Sequence, residues 1–158
     1  MRMLSNPAVL GCLCGAIVMS AANPIIGPWE LNSAKTRSSP GPPPKAVTAV
    51  YSQEGDWIIA KMTGVDAAGR PFNRTHRYKQ DGREYPSEWG PPAQGVRGML
   101  SVKKIDDHTA EVVLKFEDGA TITRQRVISK DGNTMTFTDS GTTAKGETIN
   151  SVMVWERQ

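Results

Sequence analysis

Ala110-Glu111-Val112-Val113-Leu114-Lys115-Phe116-Glu117 is followed by Asp118-Gly119, then by Thr121-Ile122-Thr123-Arg124-Gln125-Arg126-Val127-Ile128-Ser129, and then by Lys130-Asp131-Gly132-Asn133. Val112, Leu114 and Phe116 fall on one face of an extended chain, and Glu111, Lys115 and Glu117 on the other, because successive side chains of a strand point to opposite sides. Asp-Gly between two such runs suits a tight hairpin, since glycine reaches positive φ without a steric cost. The stretch therefore predicts two antiparallel strands, with Leu114 and Phe116 as core residues.

The same grammar extends in both directions. Upstream, short β-rich runs cover residues 29–32, 46–52, 57–65, 72–78, 84–89 and 96–103, and turn residues such as Glu54-Gly55-Asp56, Asp66-Ala67-Ala68-Gly69 and Asp81-Gly82 separate most of them. Downstream, residues 134–138 and 148–156 follow, with a looser turn over 140–146. In the last run Ile149, Met153 and Trp155 share one face, and Val152 and Val154 the other. About ten short strands at this spacing, with no long apolar period of 3.6 residues, predict an all-β sandwich or barrel with little helix. Consecutive hairpins without long crossovers favour an up-and-down meander, which removes its free edges by closing on itself.

The first residues read differently. Arg2, the apolar run 8–19, and the small residues Ser20-Ala21-Ala22 have the order of a secretory signal peptide. Ser20 and Ala22 place the cut after Ala22, leaving residues 23–158 as one exported domain, periplasmic or extracellular. The run is too short to span a bilayer, which needs ~20 apolar residues, so no stable membrane span is expected after cleavage. Val9-Leu10-Gly11-Cys12 also bears a faint likeness to a lipoprotein box, but the apolar run continues past Cys12. Both cysteines, Cys12 and Cys14, lie in this segment, so the domain is expected to carry no thiol and no disulfide. A chain of this size can bury about two-thirds of its unfolded surface and stands without disulfides. The net charge of +3 falls to +2 without Arg2, and the signs are interspersed. That is a solvated surface rather than the basic stripe of a nucleic-acid binder.

Several of these segments carry a family resemblance. Gly27-Pro28-Trp29 resembles the G-x-W opening of lipocalins. Phe116-Glu117-Asp118-Gly119, Thr121-Ile122-Thr123-Arg124 and Asp131-Gly132-Asn133-Thr134-Met135-Thr136 resemble the late hairpins of fatty-acid-binding proteins, and Val154-Trp155-Glu156-Arg157 their final strand. Tyr78, Asp81-Gly82, Tyr85-Pro86 and Ser129-Lys130-Asp131-Gly132 are similar to a family of small exported bacterial proteins without a settled function. The resemblance implies a lipocalin-like antiparallel barrel of about eight to ten strands that binds a small apolar or amphipathic ligand. It also implies that Arg126 matches an inward arginine of the fatty-acid-binding proteins. Two features depart from that pattern. Where those proteins place a helical lid after the first strand, this chain has Ser38-Ser39-Pro40-Gly41-Pro42-Pro43-Pro44, a stiff surface connection that forms no such lid. Where they end on an Arg-x-Tyr carboxylate clamp, it has Met153 and Trp155.

Candidate ligand residues follow from strand faces. Arg124 and Arg126 share a face with Ile122 and Ile128; if inward, they would hold an anionic group bidentately, and Arg126 is the residue expected to meet it. Phe72, Arg74, His76 and Tyr78 share another face, and such a mix of apolar wall and polar groups lines small-ligand sites. Met153 and Trp155 would add apolar wall. The alternatives are outward, solvated faces and a packed structural or protein-interaction barrel with no cavity. His108 beside Asp106 and Asp107 reads as a turn, where aspartates serve backbone hydrogen bonds, and not as a metal site, which wants four well-spaced ligands. The sequence shows no nucleophile elbow, zinc-protease motif, dinucleotide fingerprint or phosphate loop. No cofactor is expected, and an enzyme built on the same barrel is the weakest of the readings.

Overall fold

The computed structural model describes residues 23–89 and 96–158, so the expected signal segment lies outside the described residues. Ten strands form one antiparallel sheet: β1 (Gly27–Leu31), β2 (Ala46–Glu54), β3 (Trp57–Val65), β4 (Pro71–Tyr78), β5 (Asp81–Trp89), β6 (Val96–Lys104), β7 (Thr109–Phe116), β8 (Thr121–Ile128), β9 (Thr134–Thr142) and β10 (Thr148–Arg157). Their order is β4-β3-β2-β1-β10-β9-β8-β7-β6-β5, an up-and-down barrel in which β1 and β10 pair through Trp29↔Arg157 and Leu31↔Trp155. No helix occurs among the described residues.

The ladder stops at β4 and β5. These strands are joined by the short connection at Lys79 and Gln80 and stand at the two ends of the sheet. Side chains close the seam between them. His76 of β4 bonds Ser87 of β5 through Nδ1 at 2.7 Å and stacks on Trp89 with ring centroids 4.3 Å apart. Trp57 meets Tyr85 edge-on at 5.3 Å.

Alternation decides what lies inside. Val47, Ala49 and Tyr51 of β2, Leu100 and Val102 of β6, Ala110, Val112 and Leu114 of β7, and Met135 and Phe137 of β9 are all buried, while most of their neighbours in sequence are not. Leu114 is fully buried as expected, but Phe116 is only half-buried. It stands at the rim, where β7 leaves the core. Val152 and Val154, on the outer face of β10, are half-buried as well.

One end of the barrel is plugged. Trp29 is fully buried, and its indole N–H donates to the Ile25 carbonyl at 2.8 Å. The Arg157 guanidinium lies 4.3 Å from the Trp29 ring centroid and donates to the carbonyls of Gly132, Ile26 and Pro24. Gly27, at φ 123°, leaves space for that guanidinium; a Cβ there would lie 2.6 Å from its Nη1. The first and last strands are thus tied together at the base by the G-x-W and W-E-R residues.

Two boundaries differ from the expected ones. β9 runs on to Thr142, and the turn shrinks to the residues after it. Gly141 permits this, because a Cβ there would sit 2.0 Å from the Thr121 carbonyl oxygen of β8. β5 begins at Asp81, with a register irregularity between Asp81 and Glu84 where a plain turn was expected.

Candidate functional site

The interior consists of two adjoining chambers. The outer one, about 320 Å3, opens at the end away from the Trp29 plug. Leu31, Val47, Met62, Phe72, Trp89, Leu114, Ile122, Met153 and Trp155 give it an apolar wall. The proline-rich segment is a largely exposed, helix-free surface connection, as expected, and it also borders this chamber. Ser38, Ser39, Pro40 and Pro44 line the chamber's mouth. The segment reaches that position by running along β10: Arg37 exchanges backbone hydrogen bonds with Val152, and the Asn150 amide donates to the Ser39 carbonyl.

The inner chamber, about 40 Å3, shares Met62, Trp89 and Arg124 with the outer one. Tyr51, His76, Tyr78, Leu100, Val102, Val112, Arg126 and Phe137 complete it. All six residues singled out as ligand contacts thus face the interior. Met153, Trp155 and Arg124 line the outer chamber, and Arg124, Arg126, His76 and Tyr78 the inner one.

The interior is strongly cationic. Arg124 donates from Nε and Nη2 to the two carboxylate oxygens of Asp139, both at 2.7 Å. Asp139 is buried and Arg124 half-buried, with side-chain exposures of 2% and 12%, and the Arg124 guanidinium lies 4.4 Å from the Phe137 ring centroid. Asp139 is the only acidic residue among the described buried ones. Arg74 and Arg126 therefore have no carboxylate of their own inside. Arg74 stacks on Phe72 at 4.1 Å, lies 5.3 Å from the Trp89 ring, and has a buried Nε without a protein acceptor. Burial, reinforced by the charge of Arg124, pulls its pKa down to about 10, which leaves it cationic at neutral pH.

His76 answers to the same field. Burial first, then Arg74 and Arg124, push its pKa down to about 4. It is a neutral imidazole at physiological pH, anchored through Nδ1 and with Nε2 buried and unpartnered. Burial also raises the Tyr51 and Tyr78 phenols, so both stay protonated. Tyr78 accepts a long 3.5 Å hydrogen bond from Arg126 Nη1.

Arg74 was grouped with the face of His76, but Trp89, Ser87 and Asp139 had not been singled out. The phase of Met135 and Phe137, carried two residues further, would have turned Asp139 inward.

At the opposite end lies a larger, polar depression of about 700 Å3, lined by Asn23, Gln53, Asp56, Lys79, Asp81, Lys104, Asp107 and His108, among others. Its charges answer one another: Lys104 meets Asp107 at 2.7 Å, and Lys79 meets Asp56 at 3.7 Å. The Asp106 carboxylate accepts from the His108 and Thr109 amides at 2.8 and 2.7 Å, the turn role expected of it. Among the described residues no group of three or more His, Cys, Asp or Glu is placed to hold a metal.

No protein-family model matches the chain, and neither does any curated protein. Solved structures do. Rv2717c from M. tuberculosis is 13% identical with a TM-score of 0.55, over 85% of this chain and 93% of that one. Zebrafish ileal bile acid-binding protein, solved with cholic acid, is 14% identical with a TM-score of 0.49, over 85% and 99%. A redesigned β-barrel is 16% identical with a TM-score of 0.49, over 87% and 95%. At such identities the likeness to Rv2717c is one of fold alone, an all-β antiparallel barrel.

Proposed function

We propose that this barrel is an exported carrier that reversibly binds a small amphipathic molecule in its outer chamber. The observation that carries the reading is the pairing of apolar wall with Arg74, a largely buried cation whose Nε has no protein acceptor. Arginine and tryptophan N–H groups only donate, and Trp155 Nε1 is a second such unpartnered donor in the chamber wall. A ligand that fits must bring acceptor oxygens at one end and apolar surface over the rest. Met153 and Trp155 stand where a carboxylate clamp would otherwise be, and Arg126 stands behind in the inner chamber, so Arg74 is the cation in front. A chamber of about 320 Å3 also lies within the usual range for small-ligand pockets, which supports carriage over the packed, cavity-free barrel.

Titration with an environment-sensitive apolar dye tests this, followed by competition with dodecanoate and dodecanol. Arg74→Met keeps much of the side-chain length and removes the charge. Affinity for dodecanoate should fall about tenfold, since a charged hydrogen bond contributes ~1.5–3 kcal/mol, while dye and dodecanol binding change little. Absence of dye binding at any concentration would sink the carrier reading. Export has its own measurement. N-terminal sequencing of the protein recovered outside the cytoplasm should begin at Asn23, and a lipid-modified start at Cys12 would contradict it.

A further inference from the structure

We propose that the inner chamber is a specific site for one halide-sized inorganic anion, held by Arg126. Arg126 is 6% exposed, and its buried Nε has no acceptor among protein groups. Its single hydrogen bond runs to the Tyr78 hydroxyl at 3.5 Å, at the long limit. Asp139, the one buried carboxylate among the described residues, is occupied at both oxygens by Arg124. A buried guanidinium without a counter-charge is costly, because desolvation removes hydration that nothing else replaces.

The chamber's other polar groups are suited to an anion. The Tyr51 and Tyr78 hydroxyls line it, and burial keeps both phenols protonated and able to donate. His76 Nδ1 and Ser87 Oγ share a hydrogen bond at 2.7 Å, and His76 Nε2 is buried and unpartnered; the tautomer in which Ser87 donates puts the imidazole proton on Nε2. Arg126, Tyr51, Tyr78 and His76 thus line one space of about 40 Å3. The space is too small for the body of an amphipathic ligand and suits a small inorganic anion. A monatomic anion fits and neutralises Arg126; a water molecule would fit and leave the charge standing. The apolar walls Leu100, Val102, Val112 and Phe137 admit no competing polar partner.

This inference is independent of the carrier reading, since dye titration reads the outer chamber and halide dependence the inner one. The test is thermal unfolding of residues 23–158 in sodium bromide against sodium gluconate at constant ionic strength. The midpoint should rise with bromide, saturate, and gain about 5 °C, as a ligand that binds only the folded state requires. The Arg126→Met variant should show no such rise. Sulfate is unsuitable as the reference because it stabilises proteins without binding a site. Crystals grown in bromide provide a reading that needs no variant: an anomalous peak inside the chamber is expected. A midpoint indifferent to bromide, or an anomalous map without that peak, overturns the proposal. Stabilisation by formate but not by bromide also overturns it, by assigning the chamber to a carboxylate.

Discussion

Asp139→Ala should lower the unfolding free energy by about 3–5 kcal/mol. The carboxylate is 2% exposed and holds Arg124 through two 2.7 Å bonds. Removing it strands a guanidinium, which the Phe137 ring at 4.4 Å cannot compensate. The loss is larger than a surface ion pair would give, because exposed pairs contribute ~1 kcal/mol or less. Arg74 adds to it, since the two cations already repel across the interior. A urea titration reads the effect as a lower midpoint at unchanged slope. The paired change Arg124→Met with Asp139→Leu should recover most of the stability, because a buried ion pair replaced by apolar residues of similar volume is often neutral. A single-variant loss below ~1 kcal/mol would show that water reaches the pair and screens it.

Stability should also fall between about pH 6.5 and pH 4, and His76 should account for it. The group is neutral in the folded barrel, with its pKa depressed to about 4, whereas an unfolded histidine titrates near 6.5. Between those values the unfolded chain binds the extra proton and the folded one does not. The folded state is therefore fully favoured above ~6.5 and loses ground as pH falls, by ~3 kcal/mol once both states are protonated. Burial sets most of this, followed by the charges of Arg74 on the same strand and Arg124 on β8, while Ser87 on β5 holds Nδ1. The aspartates with lowered pKa, such as Asp66 and Asp131, act in a different window. Their backbone and side-chain hydrogen bonds are lost only as pH drops through values below the usual carboxylate range. His76→Gln should flatten the curve between pH 4 and 6.5. Unfolding in gluconate buffers keeps halide out of the chamber during this measurement, and an unchanged slope in the variant would assign the pH dependence elsewhere.

Most of the barrel was legible because strand alternation is a short-range signal. Val112 and Leu114, with Glu111 and Lys115 between them, state which side is inside without reference to any other strand. The arginine faces were harder. Arg124 and Arg126 alternate with Thr123 and Gln125, so both faces of β8 are polar, and only the register with Phe137 and Asp139 turns the arginines inward. Asp139 itself was hidden by a boundary. Ser140-Gly141 reads as a turn in sequence, and the close approach of the Thr121 carbonyl that makes glycine necessary within a strand is a fact of the folded sheet. The course of the proline-rich segment is hidden for a related reason. Proline content shows that residues 38–44 are stiff, but whether they point away from the barrel or across its mouth depends on hydrogen bonds to β10, more than a hundred residues away.

The side-chain seam between β4 and β5 also bears on how the chain folds. With no ladder across it, the sheet is two ribbons, β1 to β4 and β5 to β10, each made of consecutive hairpins whose strands meet after short loops. One strand pairing unites the ribbons, that of β1 with β10, and the single Arg37–Val152 bridge extends it. It closes nearly the whole described chain into a loop, and it offers only Trp29, Glu30 and Leu31 as partners to do so. Loop-closure entropy rises with the logarithm of the loop length, and long-range pairings set slow folding rates. The kinetic bottleneck of this protein is therefore placed at its two chain ends, where the Trp29–Arg157 contact has to form across the greatest sequence distance in the ladder.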